Sequence, residues 1–415
     1  MQAYDIAVIG GGAAGSMAAI RASQLNARVI LIERNESICR KILLTGKGRC
    51  NVTNIADIDA FIEKFGKQGH FLRSAFSVFF NKNLISFFES KGLKLKIERQ
   101  GRVFPITNEA SSIVRVLNAC LAENKVNVLY GKRLRNLTPK KDFFELELEN
   151  SFGIDAKKVI LSTGGASYRA TGSTGDGFKI AAELGHSIIP PKPALVPLKT
   201  KEPWVKELQG LSLKNIRVTF EYGKKRMASN IGELIFTHFG VSGPLILDLS
   251  GQVICMMDEY EEVPFSIDLK PGLEVEQLEN RLLKDFKAGG NTQFKNFMKD
   301  LLPNSLVPVF VRLSKVDPSK KVNQITQKER IAIMALLKSL PLTIVGSLPI
   351  EEAMVTAGGV STKEIDPKTM ESKIVPGLFL AGEIIDGSAP SGGYNLQQAF
   401  STGYLAGEKA ATCVK

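Results

Sequence analysis

The stretch Asp5-Ile-Ala-Val-Ile-Gly-Gly-Gly-Ala-Ala-Gly15 decides the fold. Residues 5–9 are a short, mostly apolar run that stops on glycine, the pattern of a strand buried on both faces of a parallel sheet. Gly10, Gly12 and Gly15 then fit G-x-G-x-x-G, and the small residues from Ser16 to Leu25 read as a helix. A second apolar run, Ala27–Ile32, closes the unit on Glu33. The spacing carries chemistry: Gly10 permits a tight turn, Gly12 has no side chain to keep a pyrophosphate from the backbone N–H groups, and Gly15 lets the helix pack on the strand. The helix N-terminus adds the positive end of its dipole. Glu33 stands where a carboxylate accepts the hydroxyls of an adenosine ribose, so the expected ribose is unphosphorylated.

Outward from this unit, the composition is that of a soluble globular chain. With 415 residues, 44% hydrophobic and 23% charged, it is too long for one ordinary domain and too apolar for global disorder. No stretch approaches the roughly 18 uninterrupted apolar residues of a spanning helix, and no basic patch with an apolar h-region opens the chain, so a cytoplasmic location is expected. Cys39, Cys50, Cys120, Cys255 and Cys413 are scattered, with no C-x-x-C, and His70, His186 and His238 share no ligand spacing, so no metal site is expected. Lys+Arg exceeds Asp+Glu by 54 − 42 = 12, which favours anionic partners.

The segment Arg40–Asn54 is dense in glycine, cations (Lys41, Lys47, Arg49) and amides (Asn51, Asn54), and reads either as an anion-receptive loop or as a solvated basic one. Residues 70–95 and 113–121 read as helical, and 126–130, 144–148 and 159–161 as strands, the last ending in Ser162-Thr163-Gly164-Gly165. Pro190-Pro191-Lys192-Pro193 reads as a stiff break. Beyond it, 205–218 and 233–236 look β-rich, and 275–302 and 328–340 look helical. In this insert His238, within Thr237–Pro244, is a candidate substrate ligand or proton donor, or a histidine at a β-turn.

The tail returns to the first theme. Gly377–Glu383 is an apolar run ending in Gly-Glu, Asp386–Leu396 is a Gly-Gly loop, and 397–407 reads as a small-residue helix. A strand that delivers an acid and a loop that enters a helix form the second half of an FAD site, with the acid on the ribitol and the helix dipole at the flavin. FAD is the expected cofactor. No histidine sits in the nucleotide motifs, so it is expected to be non-covalent. No second G-x-G-x-x-G follows a strand, so NADH or NADPH is expected only as a transient reductant. Cys39 and Cys50 do not form Cys-x4-Cys, which argues against a disulfide reductase.

The runs Lys41–Asn54, Gly232–Ser250 with T-H-F-G-V-S-G-P, Val355–Val360, Thr369–Ser372 and Ala381–Gln397 resemble the BaiN/YhiN-type flavoproteins, NAD(P)/FAD-dependent oxidoreductases of the aminoacetone oxidase family. The resemblance spans the chain. It implies an α/β fold: a Rossmann-like FAD domain of the two-dinucleotide-binding-domain type (1–190 plus 348–415), an inserted β-barrel-like domain (191–272 plus 341–347) and a small helical domain (273–340). Gly10, Gly12, Gly15 and Glu33 are then expected at the ADP half, with Ala13, Ala14, Arg34 and Leu134 also expected to bind the cofactor. Lys41, Gly46, Arg49, Cys50 and Asn51 would border the pyrophosphate and flavin, and Thr163, Gly164 and Gly165 would flank the cofactor. Gly382 and Glu383 would serve the ribitol, and Gly393, Tyr394, Asn395 and Leu396 the ring. Lys47 departs from the family, which often has glycine there. Family activities include amine oxidation, reduction of conjugated double bonds and reduction of a uridine in ribosomal RNA. The expected activity is therefore flavin-mediated hydride transfer on a small molecule, with ribosomal RNA as the alternative substrate. Lys132–Arg135, Lys140-Lys141 and Lys224–Arg226 would then serve as phosphate contacts. Tyr394 and His238 are the candidate acid–base residues.

Overall fold

A computed structural model describes residues 3–149 and 153–412. They divide into two compact units, residues up to 194 together with those from 350 onward, and Leu195–Pro349. Cys413 lies outside the described residues.

In the first unit the strands Asn127–Leu129, Val29–Ile32, Ala3–Ile9 and Ile154–Leu161 pair in that order, all parallel. The far edge of Ile154–Leu161 is shared: residues 154–156 take the antiparallel hairpin strand Phe144–Leu148, while 159–161 pair in parallel with Leu378–Leu380. Head and tail of the chain thus lie in one sheet. All four residues of Val29–Ile32 are buried, as a strand covered on both faces must be. The helix Ala13–Gln24 meets the C-terminal helix Tyr394–Thr412 at very close range. A Cβ on Gly403 would lie 2.2 Å from the Ala14 carbonyl oxygen, and one on Gly407 would lie 2.3 Å from that of Ala18. Small residues on both helices permit that approach.

Local differences from the sequence reading have local causes. The helical run 70–95 is two helices, Gly69–Val78 and Asn81–Ser90, followed by the strand Leu95–Ile97. Between them Phe79 is extended, and the Asn81 side chain donates to the carbonyls of Asn54 and Ala56, both at 2.8 Å. The proline-rich break is the strand Ile188–Ala194, paired antiparallel with Val355–Val360 and irregular in register between Ile189 and Lys192, where the prolines lack N–H groups. The Arg40–Asn54 loop holds a helix, Arg40–Leu44, a 3-10 turn, Thr45–Gly48, and a strand, Thr53–Asn54. This strand joins Arg102–Pro105 and Leu95–Ile97 in a small antiparallel sheet.

The second unit is built on an antiparallel barrel. Ser212–Tyr222, Gly232–Phe236, Gly240–Ser242, Leu198–Thr200, Leu340–Ser347 and Val263–Asp268 pair in turn, and Val263–Asp268 pairs back onto Ser212–Tyr222. Closure leaves the short strand Lys225–Ala228, paired with Ser212–Tyr222 alone, as an edge among the described residues. The helices Val275–Gly289, Val307–Ser314 and Gln327–Lys338 share one apolar core with it: Leu278, Phe310 and Ile333 belong to the same buried cluster as Val218, Phe220 and Ile344. A helix that the sequence reading did not mark, Pro244–Met256, follows a glycine at φ +93° and starts on proline.

Candidate functional site

The first unit contains a cleft with an empty volume of about 1360 Å³, its open mouth included. At its centre lies the turn from Ala3–Ile9 into Ala13–Gln24. Gly10 has φ +97°, and a Cβ there would sit 2.6 Å from the Ser162 carbonyl oxygen. A Cβ on Gly15 would sit 1.9 Å from the Gly10 carbonyl oxygen, so this glycine is required by packing. Gly12 differs, since a Cβ there would meet nothing within 4 Å. It faces the open cleft, no side chain caps the helix that follows, and that helix has no acid in its first turn. This is an uncompensated positive helix end, suited to a pyrophosphate.

One end of the cleft is charged and polar. Glu33, 6% exposed, accepts from the Gly11 N–H at 2.7 Å and from the Asn35 N–H at 2.8 Å. Beside it Asp176 clamps two arginines: Arg34 Nη1 lies 3.0 Å from Oδ2, and Arg133 reaches both carboxylate oxygens at 2.8 and 2.7 Å. Burial works to raise the Asp176 pKa, but the Arg133 hydrogen bonds and the charges of both arginines hold it below the ordinary value.

At the other end Lys41 meets Glu383. Lys41 Nζ donates to Glu383 Oε2 at 2.7 Å, to Oε1 at 3.0 Å and to Ser167 Oγ at 2.7 Å. Glu383 Oε1 also accepts from the Thr356 N–H at 2.8 Å. Burial pushes the Glu383 carboxyl up, yet the Lys41 charge and these hydrogen bonds outweigh it and leave the pKa lowered.

Two buried polar atoms in the cleft wall have no partner among the described residues, Thr163 Oγ1 and Gln398 Nε2. Buried orphans are rare because each costs about 1–3 kcal/mol. Together with the open face of Gly12 they fit a polar ligand lying along the whole cleft, as FAD would.

Of the sequence-derived residues, Gly10, Gly12, Ala13, Ala14, Glu33, Arg34, Lys41, Leu134, Thr163, Gly164, Gly382, Glu383, Asn395 and Leu396 line this cleft. The others stand elsewhere. Gly15 and Gly165 pack behind the wall, and a Cβ on Gly165 would meet Thr356 Oγ1 at 2.3 Å. Gly46 is exposed at φ +57°, and Cys50 is buried at φ +60°. Asn51 Oδ1 accepts from the Val103 N–H at 3.2 Å, and Arg49 pairs with Glu98 and Asn108 while covering the Phe104 ring at 4.3 Å. A Cβ on Gly393 would lie 2.4 Å from the Thr53 backbone. The Tyr394 ring packs edge-on to Phe61 at 4.7 Å within a buried aromatic cluster and does not line the cleft. His238 is exposed at the hairpin turn of the second unit.

The sequence reading missed Asp176, Arg133, Asn35, Cys39 and Gln398 as wall residues. Asp176 was findable as the acid opening a helix straight after a glycine-hydroxyl run. Cys39 sits in the left-handed region at φ +58°, and burial pushes its thiol up to about 12, as it does for Cys50. Neither thiol is poised as a nucleophile. Among the described residues there is no metal-type cluster of acids, histidines and cysteines, and no helix is long and apolar enough to cross a membrane.

Comparison with known proteins follows the same lines. Residues 4–409 match the HI0933-like protein Rossmann domain family. The chain is 33% identical over 408 residues to a 3-dehydro-bile acid delta(4,6)-reductase of Clostridium scindens, covering 98% of each chain. It is 31% identical over 411 residues to a ribosomal RNA dihydrouridine synthase of Escherichia coli, covering 97% of each. Among solved structures, an open-conformation flavocytochrome c3 fumarate reductase superposes with a TM-score of 0.53 at 16% identity, covering all of this chain and 79% of the other. From the dinucleotide turn, the acid-bearing tail strand and these whole-length matches, the chain belongs to the HI0933-like Rossmann family of BaiN/YhiN-type FAD-dependent oxidoreductases.

Proposed function

We propose that this chain reduces a carbon–carbon double bond conjugated to a carbonyl, with NADH or NADPH as the transient source of electrons. The observation that carries the reading is that two relatives, each above 30% identical along the whole chain, are named for the same change of bond. A delta(4,6)-reductase acting on a 3-dehydro bile acid saturates bonds in conjugation with the 3-keto group, and dihydrouridine is uridine whose ring double bond next to a carbonyl has been saturated. When bound, FAD supplies hydride for such a bond, and the protein supplies orientation and electrostatics.

The residues of this chain divide that work. Gly12 and the first turn of Ala13–Gln24 take the pyrophosphate on backbone N–H groups, and Glu33 takes the adenosine ribose. Thr163 Oγ1 and Gln398 Nε2 gain the partners they lack. Lys41 holds Glu383 ionised, so the carboxylate accepts hydrogen bonds from the ribitol.

A second reading concerns the substrate. The net charge of +12 and a pI near 9.3 favour a polyanion, and so a uridine within ribosomal RNA over a free small molecule. One experiment tests both. The purified protein is mixed anaerobically with NADH and with NADPH while the flavin absorbance is followed, then offered a 3-oxo-4,6-diene bile acid or ribosomal RNA. Bleaching by one nucleotide and recovery with one substrate supports the proposal. A flavin that neither nucleotide bleaches, or that recovers only with oxygen, rejects it.

A further inference from the structure

We propose that the cationic side of the small sheet formed by Thr53–Asn54, Arg102–Pro105 and Leu95–Ile97 is a docking surface for the phosphate backbone of RNA, placed to lead a strand to the Glu383 end of the cleft. The proposal rests on the ribosomal RNA reading above and adds to it the place where the nucleic acid is held.

The sheet and its flanking turn carry charge that the described residues leave largely unneutralised. Residues 45–54 and 94–105 hold six cations, Lys47, Arg49, Lys94, Lys96, Arg99 and Arg102, against one acid, Glu98, so 6 − 1 = +5 out of the chain's +12. Glu98 is shared between Arg49 and Lys96, the latter at 3.1 Å. Lys47, Lys94 and Arg99 are exposed, and Arg102 is half-buried with its guanidinium on the Arg99 carbonyl oxygen at 3.1 Å. The basic runs elsewhere in this unit are different. Arg133 is clamped by Asp176, Arg135 lies 3.7 Å from Glu147 and Lys140 pairs with Glu145, so three of the five cations in Lys132–Arg135 and Lys140-Lys141 have an acid partner, against two of the six here, which share one acid. A cation already paired has less to offer a phosphate.

The surface also has a planar cationic component. Lys96 stands directly across from Phe104 in the antiparallel register, and the Arg49 guanidinium lies over that ring. Phe104 itself is buried, so the face offered to a base is the Arg49 guanidinium, backed by that ring and flanked by cations.

Its position ties it to the cleft. Asn54 Nδ2 donates to the Gly392 carbonyl at 3.1 Å, and Thr53 Oγ1 donates to Gln397 Oε1 at 2.6 Å. The residues between those two anchors, Asn395 and Leu396, line the cleft. The helix Arg40–Leu44 likewise runs from Lys41, in the cleft, to the turn that bears Lys47. A strand held on this sheet therefore lies at the rim of the cleft.

The test is the salt dependence of binding of a short, uridine-containing single-stranded RNA, measured by anisotropy on the FAD-loaded protein. Each phosphate that is no longer neutralised flattens the log–log slope by roughly 0.7, so the triple variant Lys94→Gln, Arg99→Gln, Arg102→Gln is expected to flatten it by about 2 while keeping its flavin absorbance. The triple variant Lys224→Gln, Lys225→Gln, Arg226→Gln in the second unit is expected to leave it unchanged. If the wild type binds RNA and the first variant has the same slope, or the second shows the larger loss, the surface is misassigned while the RNA reading stands. If the wild type does not bind RNA even at low salt, both fall and the small-molecule reading remains.

Discussion

Lys41 and Glu383 are 342 residues apart in the chain and 2.7 Å apart in the cleft. Their side chains are 23% and 20% exposed, so the pair is neither freely solvated nor sealed. Removing one partner is therefore costlier than at a surface pair, because the other keeps much of its desolvation penalty. Lys41→Met is expected to lower stability at neutral pH by about 2 kcal/mol, and Glu383→Gln by about 1 kcal/mol, because Gln still accepts from the Thr356 N–H. The double variant is expected to cost less than the sum. Urea midpoints of the four proteins give the coupling, and strict additivity would show that the pair contributes nothing.

Acid should undo the same contribution. The Glu383 pKa is lowered from an ordinary 4.5, so its ionised form stabilises the folded state above that value, and the stability is lost as pH falls through the lowered one. The stability gap between wild type and Glu383→Gln should therefore be full near neutrality and shrink on acidification below about pH 4.5. Urea melts across a pH series measure it. A gap that widens on acidification contradicts the assignment.

How much of this was legible in the sequence depended on sequence distance. The turn from Gly10 to Gly15 and the acid Glu33 read correctly as a unit because strand, glycines and helix follow one another with nothing between them. That Leu378–Leu380 joins the same sheet was legible because Gly382-Glu383 has its own local signature. The Lys41–Glu383 pair was not, since each residue was assigned separately to the cofactor and only folding brings them together. Arg49 and Asn51 show the reverse case. Their types suit the cofactor, but the strand Arg102–Pro105 holds Asn51, and Glu98 with the Phe104 ring holds Arg49, away from the cleft wall. The Asp176 clamp needs three segments, around residues 34, 133 and 176; the acid stands out at its helix start, but nothing local pairs it with Arg34 and Arg133. The helix Pro244–Met256 went unmarked because Gly243-Pro244 reads as a turn, although proline is at home in a first helical turn.

Two glycines of the same motif separate packing from binding. Gly15→Ala would drive a Cβ to 1.9 Å from the Gly10 carbonyl and 2.5 Å from Ser162 Oγ, so it is expected to cost at least about 3 kcal/mol or to prevent folding. Gly12 has φ −75°, and its Cβ would enter open space, so Gly12→Ala should fold with stability unchanged within about 0.5 kcal/mol. Its methyl occupies the place meant for the pyrophosphate, and FAD affinity should fall at least about tenfold, or about 1.4 kcal/mol. Thermal melts with flavin fluorescence titration distinguish the two. A Gly12→Ala protein that binds FAD normally would mean that the cofactor does not run along this turn.

The orphaned polar atoms give the most direct test of what fills the cleft. Thr163→Val replaces a hydroxyl that has no partner among the described residues without changing the shape of the side chain, so the FAD-free protein should be as stable as wild type or slightly more so. If a ligand group bonds to that oxygen, the same substitution should weaken FAD binding by about 0.5–1.5 kcal/mol, a loss of up to about tenfold. Gln398→Met removes the second orphan at nearly constant volume and should behave alike. The opposite signs matter most, because an ordinary core substitution lowers stability with or without cofactor. Isothermal titration of FAD, paired with urea melts of the FAD-free variants, reads both quantities. If either variant destabilises the FAD-free protein while binding FAD normally, its polar atom serves the fold, and the cofactor bond assigned to it here is absent.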